Sequence, residues 1–267
     1  MRPFSFHRPR RLSDAVELLE SRGDAKALAG GQSLLPTLRL RLAAPSDLVD
    51  LAQIDELRGL RASANEISIG AMTRHEEVAG AAQVQSLLPA LATLAGGIGD
   101  RQVRNRGTIG GSLANNDPAA CYPAAALALD AIIHTDRRSI KAVDFFNGLY
   151  ATSLEPSELI TRISFPVPAR AAYLKFKHPA SRFALVGVFI AECRGEMRVA
   201  VTGAGMGGVF RATAIEKALQ RSFSEVSLRG IEMDAGDLSS DLHAGADYRA
   251  HLILVLARRA VAQLTGQ

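Results

Sequence analysis

The chain has no tryptophan, only two cysteines in 267 residues, and an aromatic content of 5%. Cys121 and Cys193 stand far apart and neither belongs to a C-x-x-C pair, so zinc or iron–sulfur ligation within this chain is not expected. No apolar run approaches the roughly 18 residues that a membrane span requires. The basic start, Arg8-Pro9-Arg10-Arg11, runs directly into Leu12-Ser13-Asp14-Ala15 with no apolar stretch behind it, which argues against a secretory signal. A cytoplasmic chain is the expectation, reaching a membrane only through partners. The net charge of +4 is spread without a long basic block, so nucleic-acid binding gains no support. Arg8 to Arg11 and Arg101 to Arg106 read as solvated surface or as contact regions for another subunit. No Ser-His-Asp or Cys-His set and no H-E-x-x-H motif occurs, so neither catalytic nor metal-ligating residues are assigned. His134, His178, His243 and His251 are scattered, and His75 is expected to be exposed on a first helical turn.

What is present is an ordinary globular composition, 48% hydrophobic and 22% charged, with length enough for one large domain or two smaller ones. Two segments stand out. The first is Ala29-Gly30-Gly31-Gln32-Ser33-Leu34, and the second is Thr108-Ile109-Gly110-Gly111-Ser112. Each joins a Gly-Gly pair to a hydroxyl or amide side chain. Paired glycines turn tightly and let a ligand approach, because no Cβ intervenes. Free N–H groups on such a loop form a concave nest for anions. Two loops of this kind suit the two phosphates of a dinucleotide, with the N–H groups of Gly31, Gln32, Ser33 and Leu34 as donors in the first.

The periodicity predicts a helix capped by Ser13, a strand over residues 26–29, and another over 48–51. An antiparallel pair is expected at 57–60 and 66–70, and a capping box, Thr73-x-x-Glu76, is expected to start a helix at Arg74. Helices follow at 87–95 and 123–131, then strands at 131–135, 138–142 and 158–165. Pro166 and Pro168 mark a boundary. Beyond it lie strands at 172–177, 184–193 and 196–202, and helices at 214–220 and 248–264. Helices and strands mix without βαβ alternation, which indicates an α+β fold.

Gly203-Ala204-Gly205-Met206-Gly207-Gly208 follows a strand and satisfies G-x-G-x-x-G, so NAD binding at this loop is an alternative. That fingerprint needs its last glycine to open a helix. Here Thr213-x-x-Glu216 reads as a capping box several residues later, so the glycines read instead as a sharp strand exit.

With these flanks and in this order, the two Gly-Gly loops resemble those of the FAD-binding medium subunits of molybdenum hydroxylases, of the carbon monoxide dehydrogenase and xanthine dehydrogenase type. The likeness extends from Phe4-Ser5-Phe6-His7 through Tyr173-Leu174-Lys175-Phe176-Lys177 to the last helix. It implies a two-subdomain PCMH-type FAD-binding domain over residues 1–170, divided near 54/55, and a smaller C-terminal α+β domain over 171–267 with an antiparallel sheet and helices. It implies FAD held by both loops, non-covalently because neither loop has a His or Cys to anchor it, with Ala29, Ile98, Asp117, Cys121, Ile160 and Lys177 as further contacts, and Lys175, two residues away on the same strand face, as the competing lysine. Cys121 stands where the family usually has aspartate, and a thiol is a weaker acceptor than a carboxylate. The resemblance also implies a molybdopterin-binding large subunit and a small subunit with 2Fe-2S clusters as partners, in a dimer of heterotrimers. Electrons would pass from the clusters to FAD and on to an external acceptor. A flavin-free scaffold or nucleotide-sensing domain of the same fold is the reading from another functional class.

Overall fold

In the computed structural model, which describes residues 1–266, the chain begins with β1 (Ser5–His7), α1 (Leu12–Ser21), β2 (Ala25–Leu28), α2 (Leu34–Arg39) and β3 (Asp47–Asp50). These strands form a parallel sheet in the order β1-β3-β2. Ala15 and Leu19 of α1 pack with Val49, Ile54, Leu57 and Met72 in one small core. Ser13 does not cap α1. The N-cap is Arg11 and the helix starts two residues earlier than expected, and the Leu12 N–H is satisfied from outside by Glu56 Oε1 at 2.8 Å. A distant carboxylate thus does what a local hydroxyl was expected to do.

The middle of the chain carries β4 (Leu60–Ala62), β5 (Glu66–Gly70), α3 (His75–Gly80), α4 (Ala82–Leu87), α5 (Pro89–Gly96), α6 (Arg101–Arg104), α7 (Ile109–Asn115) and α8 (Tyr122–Ala128). It continues with β6 (Ile132–Thr135), β7 (Ser139–Lys141), the short pair β8 (Phe146–Gly148) and β9 (Ala151–Thr152), and β10 (Ile160–Pro166). A five-stranded antiparallel sheet runs β4-β5-β10-β6-β7, and the helices pack on it through a large shared core. The strand expected at 57–60 lies further along: Leu57 is fully buried in the first core, and pairing with β5 begins at Leu60. The α3 cap is displaced by one residue. Glu77 Oε2 accepts the Arg74 N–H at 2.7 Å, whereas the Thr73 hydroxyl donates to the Gly59 carbonyl at 3.1 Å. Helix α8 ends short of Ala131 because Asp130 adopts a left-handed φ of 54°.

The last part is an antiparallel sheet of β11 (Arg170–Lys177), β12 (Ala184–Cys193), β13 (Glu196–Gly205) and β14 (Gly208–Arg211), followed by α9 (Thr213–Arg221) and α10 (Ala246–Thr265). The continuous apolar run of β12 reflects burial on both faces. Phe189, Ala191 and Cys193 join the core of the middle unit, while Val186, Val188 and Ile190 join a separate core with α9 and α10. Helix α9 lies where Thr213 suggested, but not through a capping box. Its N-cap is Ala212, and Glu216 is turned to Arg211 at 2.8 Å and to the Val199 N–H at 2.9 Å. The fold is α+β, a mixed helix and sheet region followed by an antiparallel-sheet domain.

Candidate functional site

The two glycine loops meet at one cleft of about 650 Å³, within the size range of cofactor sites. Loop one leaves β2 and enters α2. Gly31 has φ of 72°, a value that L side chains rarely adopt. Among the described residues, the main-chain N–H groups of Gly30, Gly31, Gln32, Ser33 and Leu34 donate to no protein acceptor. The next N–H, of Leu35, is taken by the Gly31 carbonyl at 3.1 Å. A run of successive unpaired N–H groups on the cleft wall is what an anion requires.

Loop two differs from the sequence expectation. It is the start of α7, capped by Thr108 Oγ1, which accepts from the Gly111 N–H at 3.2 Å. The Ile109 N–H donates to the Thr73 carbonyl at 3.1 Å and the Gly110 N–H to the Ala71 carbonyl at 2.9 Å. These donors are already satisfied, so loop two offers no open nest at Ile109 and Gly110. Its glycines serve close packing: a Cβ on Gly110 would lie 2.5 Å from the Ala71 Cβ, and one on Gly111 would lie 3.1 Å from the Ala29 Cβ.

Beyond α7 the chain turns at Asn116, whose φ is 42° and whose amide donates to the Gly148 and Ala151 carbonyls, both at 2.8 Å. Asp117 lines the cleft, but Oδ1 accepts the Ala119 N–H at 2.8 Å and Oδ2 the Tyr150 hydroxyl at 3.3 Å. The segment is fastened to β13: the buried Thr202 hydroxyl contacts the Pro118 carbonyl at 2.9 Å and the Ala120 carbonyl at 2.6 Å.

Ala29, Gly30, Gly31, Gln32, Ser33, Leu34, Ile98, Thr108, Gly110, Gly111, Ser112, Asp117, Cys121 and Ile160 all line this cleft. Ile109 does not; it is fully buried in the core beneath. Lys177 does not either. A register shift between Phe176 and Lys177 breaks the strand alternation, leaving Lys177 exposed. Lys175 lines the cleft instead, donating to the Gly97 carbonyl at 2.8 Å, the Arg182 carbonyl at 3.2 Å and Cys121 Sγ at 3.4 Å. One ammonium group thus ties three segments of the wall together.

Sequence reasoning also missed His75, which is 5% exposed and lines the cleft. The displaced cap of α3 turns its ring inward, 5.4 Å from that of Tyr122. Burial, and secondarily the charge of Arg104, push its pKa down to about 4, so it is neutral at pH 7. Glu158 is a further cleft residue. Its carboxyl is held down at about 2, chiefly by the Arg138 guanidinium, with contacts at 2.9 and 3.0 Å. Ser181, Arg182 and Phe183 complete the rim from the loop between β11 and β12. Only that loop's distance in sequence hid it.

The Gly203–Gly208 segment is no nucleotide loop. It is the tight hairpin joining β13 to β14, with Gly205 paired to Gly208, and it opens no helix. Gly203 has φ of 82°, and a Cβ there would lie 2.9 Å from the Leu185 carbonyl oxygen. The buried Arg249 binds the Leu185 carbonyl at 2.8 Å and the Gly203 carbonyl at 2.5 Å. Gly203 and Gly205 are consumed by packing, and Gly208 by its φ of 96° at the turn.

Residues 2–168 match the model of the FAD binding domain in molybdopterin dehydrogenase. The chain is 35% identical to the carbon monoxide dehydrogenase medium chain of Hydrogenophaga pseudoflava, covering 97% of this chain and 96% of that one. It is 35% identical to the nicotine 6-hydroxylase medium subunit of Paenarthrobacter nicotinovorans, covering 96% and 95%. Among solved structures, carbon monoxide dehydrogenase from Hydrogenophaga pseudoflava superposes with a TM-score of 0.87 at 35% identity, over 100% of this chain and 99% of that chain. Quinoline 2-oxidoreductase from Pseudomonas putida 86 gives a TM-score of 0.87 at 30% identity, over 99% and 98%. With its unpaired N–H cradle and its two interlocked glycine loops, this chain belongs to the FAD-binding medium subunits of the molybdenum hydroxylase family.

Proposed function

We propose that the cleft holds one FAD non-covalently, with its pyrophosphate on the N–H groups of loop one, and that the chain relays electrons between partner subunits and an external acceptor. The observation that carries this reading is the row of unpaired N–H groups from Gly30 to Leu34, on a wall that loop two closes. Bound FAD supplies the electron-accepting and electron-donating chemistry. The residues of this chain bind and orient it. Loop one neutralises the phosphates, Thr108 and Ser112 offer hydroxyls on the facing wall, and the apolar Ile98 and Ile160 flank the cavity. Lys175 places a positive charge at the cleft, suited to a ring that gains negative charge on reduction. Cys121 takes a position where the family's usual acceptor is a carboxylate, and Asp117 is turned to Ala119 and Tyr150.

The division of labour between residues 1–170 as flavin-binding domain and 171–267 as C-terminal domain belongs to the same reading. The second domain supplies Lys175, the rim loop and the Thr202 anchor. The partners are a small subunit with 2Fe-2S clusters and a molybdopterin-binding large subunit, in a cytoplasmic dimer of heterotrimers. The names of similar proteins support this, being medium chains or subunits of dehydrogenase complexes. No helix among the described residues is long and apolar enough to cross a membrane. Co-expression with candidate large and small subunits tests the proposal. A stoichiometric assembly that oxidises an organic substrate, and an isolated chain that does not, are the expected results. Substrate oxidation by the isolated, metal-free chain would overturn it.

A further inference from the structure

Two main-chain bonds close the base of the rim loop between β11 and β12, from the His178 N–H to the Phe183 carbonyl and from the Arg182 N–H to the His178 carbonyl, both at 2.9 Å, and one imidazole holds its tip. His178 Nδ1 accepts the N–H groups of Ala180 at 3.3 Å and Ser181 at 3.2 Å. A ring nitrogen that accepts carries no proton, so the proton of the neutral His178 ring sits on Nε2. That nitrogen lies 3.2 Å from Nδ1 of His243, and the rings meet edge to face with centroids 4.4 Å apart. His178 therefore donates and His243 accepts. The same tautomer leaves His178 Nε2 no lone pair for a metal ion, so the pair is a hydrogen bond and not a coordination site. His243 lies in the loop before α10 and its position is fixed independently. Asp241 Oδ1 accepts the His243 N–H at 2.8 Å, and Asp241 Oδ2 pairs with Arg249 at 2.7 Å.

We propose that His178 and His243 form a proton-sensitive latch that positions the rim loop over the cleft. A proton on His178 Nδ1 removes the acceptor for Ala180 and Ser181. A proton on His243 Nδ1 sets two N–H donors face to face. Either event loosens the tip of the loop at Ala180 and at Ser181, which lines the cleft, while the main-chain bonds of Arg182 and Phe183 to His178 keep its base closed. The other charged groups here are Asp241 and Arg249 around His243, and, next to His178 in sequence, Lys177 and Arg182. Burial raises the Asp241 carboxyl, but the His243 and Ala244 N–H groups and Arg249 outweigh it and hold the pKa below the usual value. Asp241 thus keeps its charge, which leaves the histidine pair as the trigger. The edge-to-face contact of Phe176 with Tyr248, centroids 6.3 Å apart, involves neither imidazole.

The latch needs no flavin; its effect on the cofactor rests on the function proposed above. Hydrogen exchange on the full chain in its purified assembly tests it. Protection of the Ala180 and Ser181 amides, corrected for intrinsic exchange, is compared at about pH 7.5 and about pH 5.5. Wild type should lose protection about fivefold, as expected for one hydrogen bond. In the double variant His178→Asn, His243→Asn, in which neither side chain titrates, the pH dependence should vanish. Iodide quenching of flavin fluorescence should rise in the same pH window in wild type only. Wild-type protection that does not change with pH, or a fall that persists in the double variant, overturns the latch. An assembly without flavin that still shows the pH-dependent exchange keeps the latch and overturns the flavin reading.

Discussion

Gly30 of loop one lies against Gly107 at the entry to loop two: a β-carbon on Gly30 would sit 2.6 Å from the Gly107 Cα and against the Arg106 carbonyl oxygen. The two loops therefore touch through main chain, with no room for a side chain. Gly30→Ala should force them apart, costing about 1–3 kcal/mol as overpacking does. Flavin content should fall further than stability explains, because the N–H cradle loses its facing wall. Gly23→Ala is the control, since nothing lies within 4 Å of a β-carbon there. Thermal melts and flavin-to-protein ratios of both variants check this. Equal flavin content in the two would separate loop packing from cofactor binding.

Lys175 and Lys177 are two residues apart, and only Lys175 reaches the cleft. Lys175→Met should lower flavin affinity by about tenfold or more, since it removes the charge at the cleft and the charged bonds, worth roughly 1.5–3 kcal/mol, that tie Gly97 and Arg182 into its wall. Lys177→Met should leave affinity unchanged. Equilibrium dialysis against FAD measures both, and a selective loss in the Lys177 variant would assign the flavin contact to the other lysine.

His75 gives the chain an acid-sensitive term. Its folded pKa, about 4, lies below the ordinary 6.5, so the unfolded chain binds the proton more readily. The stabilising contribution is present above about pH 6.5 and is lost as pH falls toward about 4. The loss between about pH 7.5 and about pH 5 should be roughly 2 kcal/mol. His75→Gln should be less stable at neutral pH, from lost packing, but should show a flatter acid limb. Urea unfolding of the flavin-free chain at both pH values measures the slope. An unchanged slope in the variant would show that His75 does not carry it.

Thr202 reaches across from the antiparallel sheet to hold the Pro118 and Ala120 carbonyls. Thr202→Val keeps the shape and leaves both carbonyls without that donor, at a cost of about 1–3 kcal/mol. Because Ala119, Ala120 and Cys121 line the cleft, flavin affinity should drop together with stability. Paired melts with and without FAD separate the two effects.

The glycine loops were legible because their signal is local, a Gly-Gly pair followed by a hydroxyl or amide side chain. What loop two does was not, because its N–H groups are taken by Ala71 and Thr73, far off in sequence. The inward turn of His75 hung on which residue ends the turn before α3, a shift of one position that turns a helix face by about 100°. Lys175 and Lys177 share a face in a regular strand, and the irregularity at Phe176/Lys177 that separates them has no signature in the sequence. The G-x-G-x-x-G segment was separated from a nucleotide loop by the late start of α9, although Thr213 is not the cap that reasoning invoked. Helix position survived the wrong cap because the apolar spacing of Ile215 and Leu219 fixes it.

The central claim is that this cleft holds FAD, and the flavin content of the purified assembly tests it most directly. Acid precipitation should release about one FAD per chain into the supernatant, with none left on the protein. An assembly with all its subunits but no flavin, or flavin retained on the precipitated chain, would contradict a non-covalent site between Gly30 and Gly111.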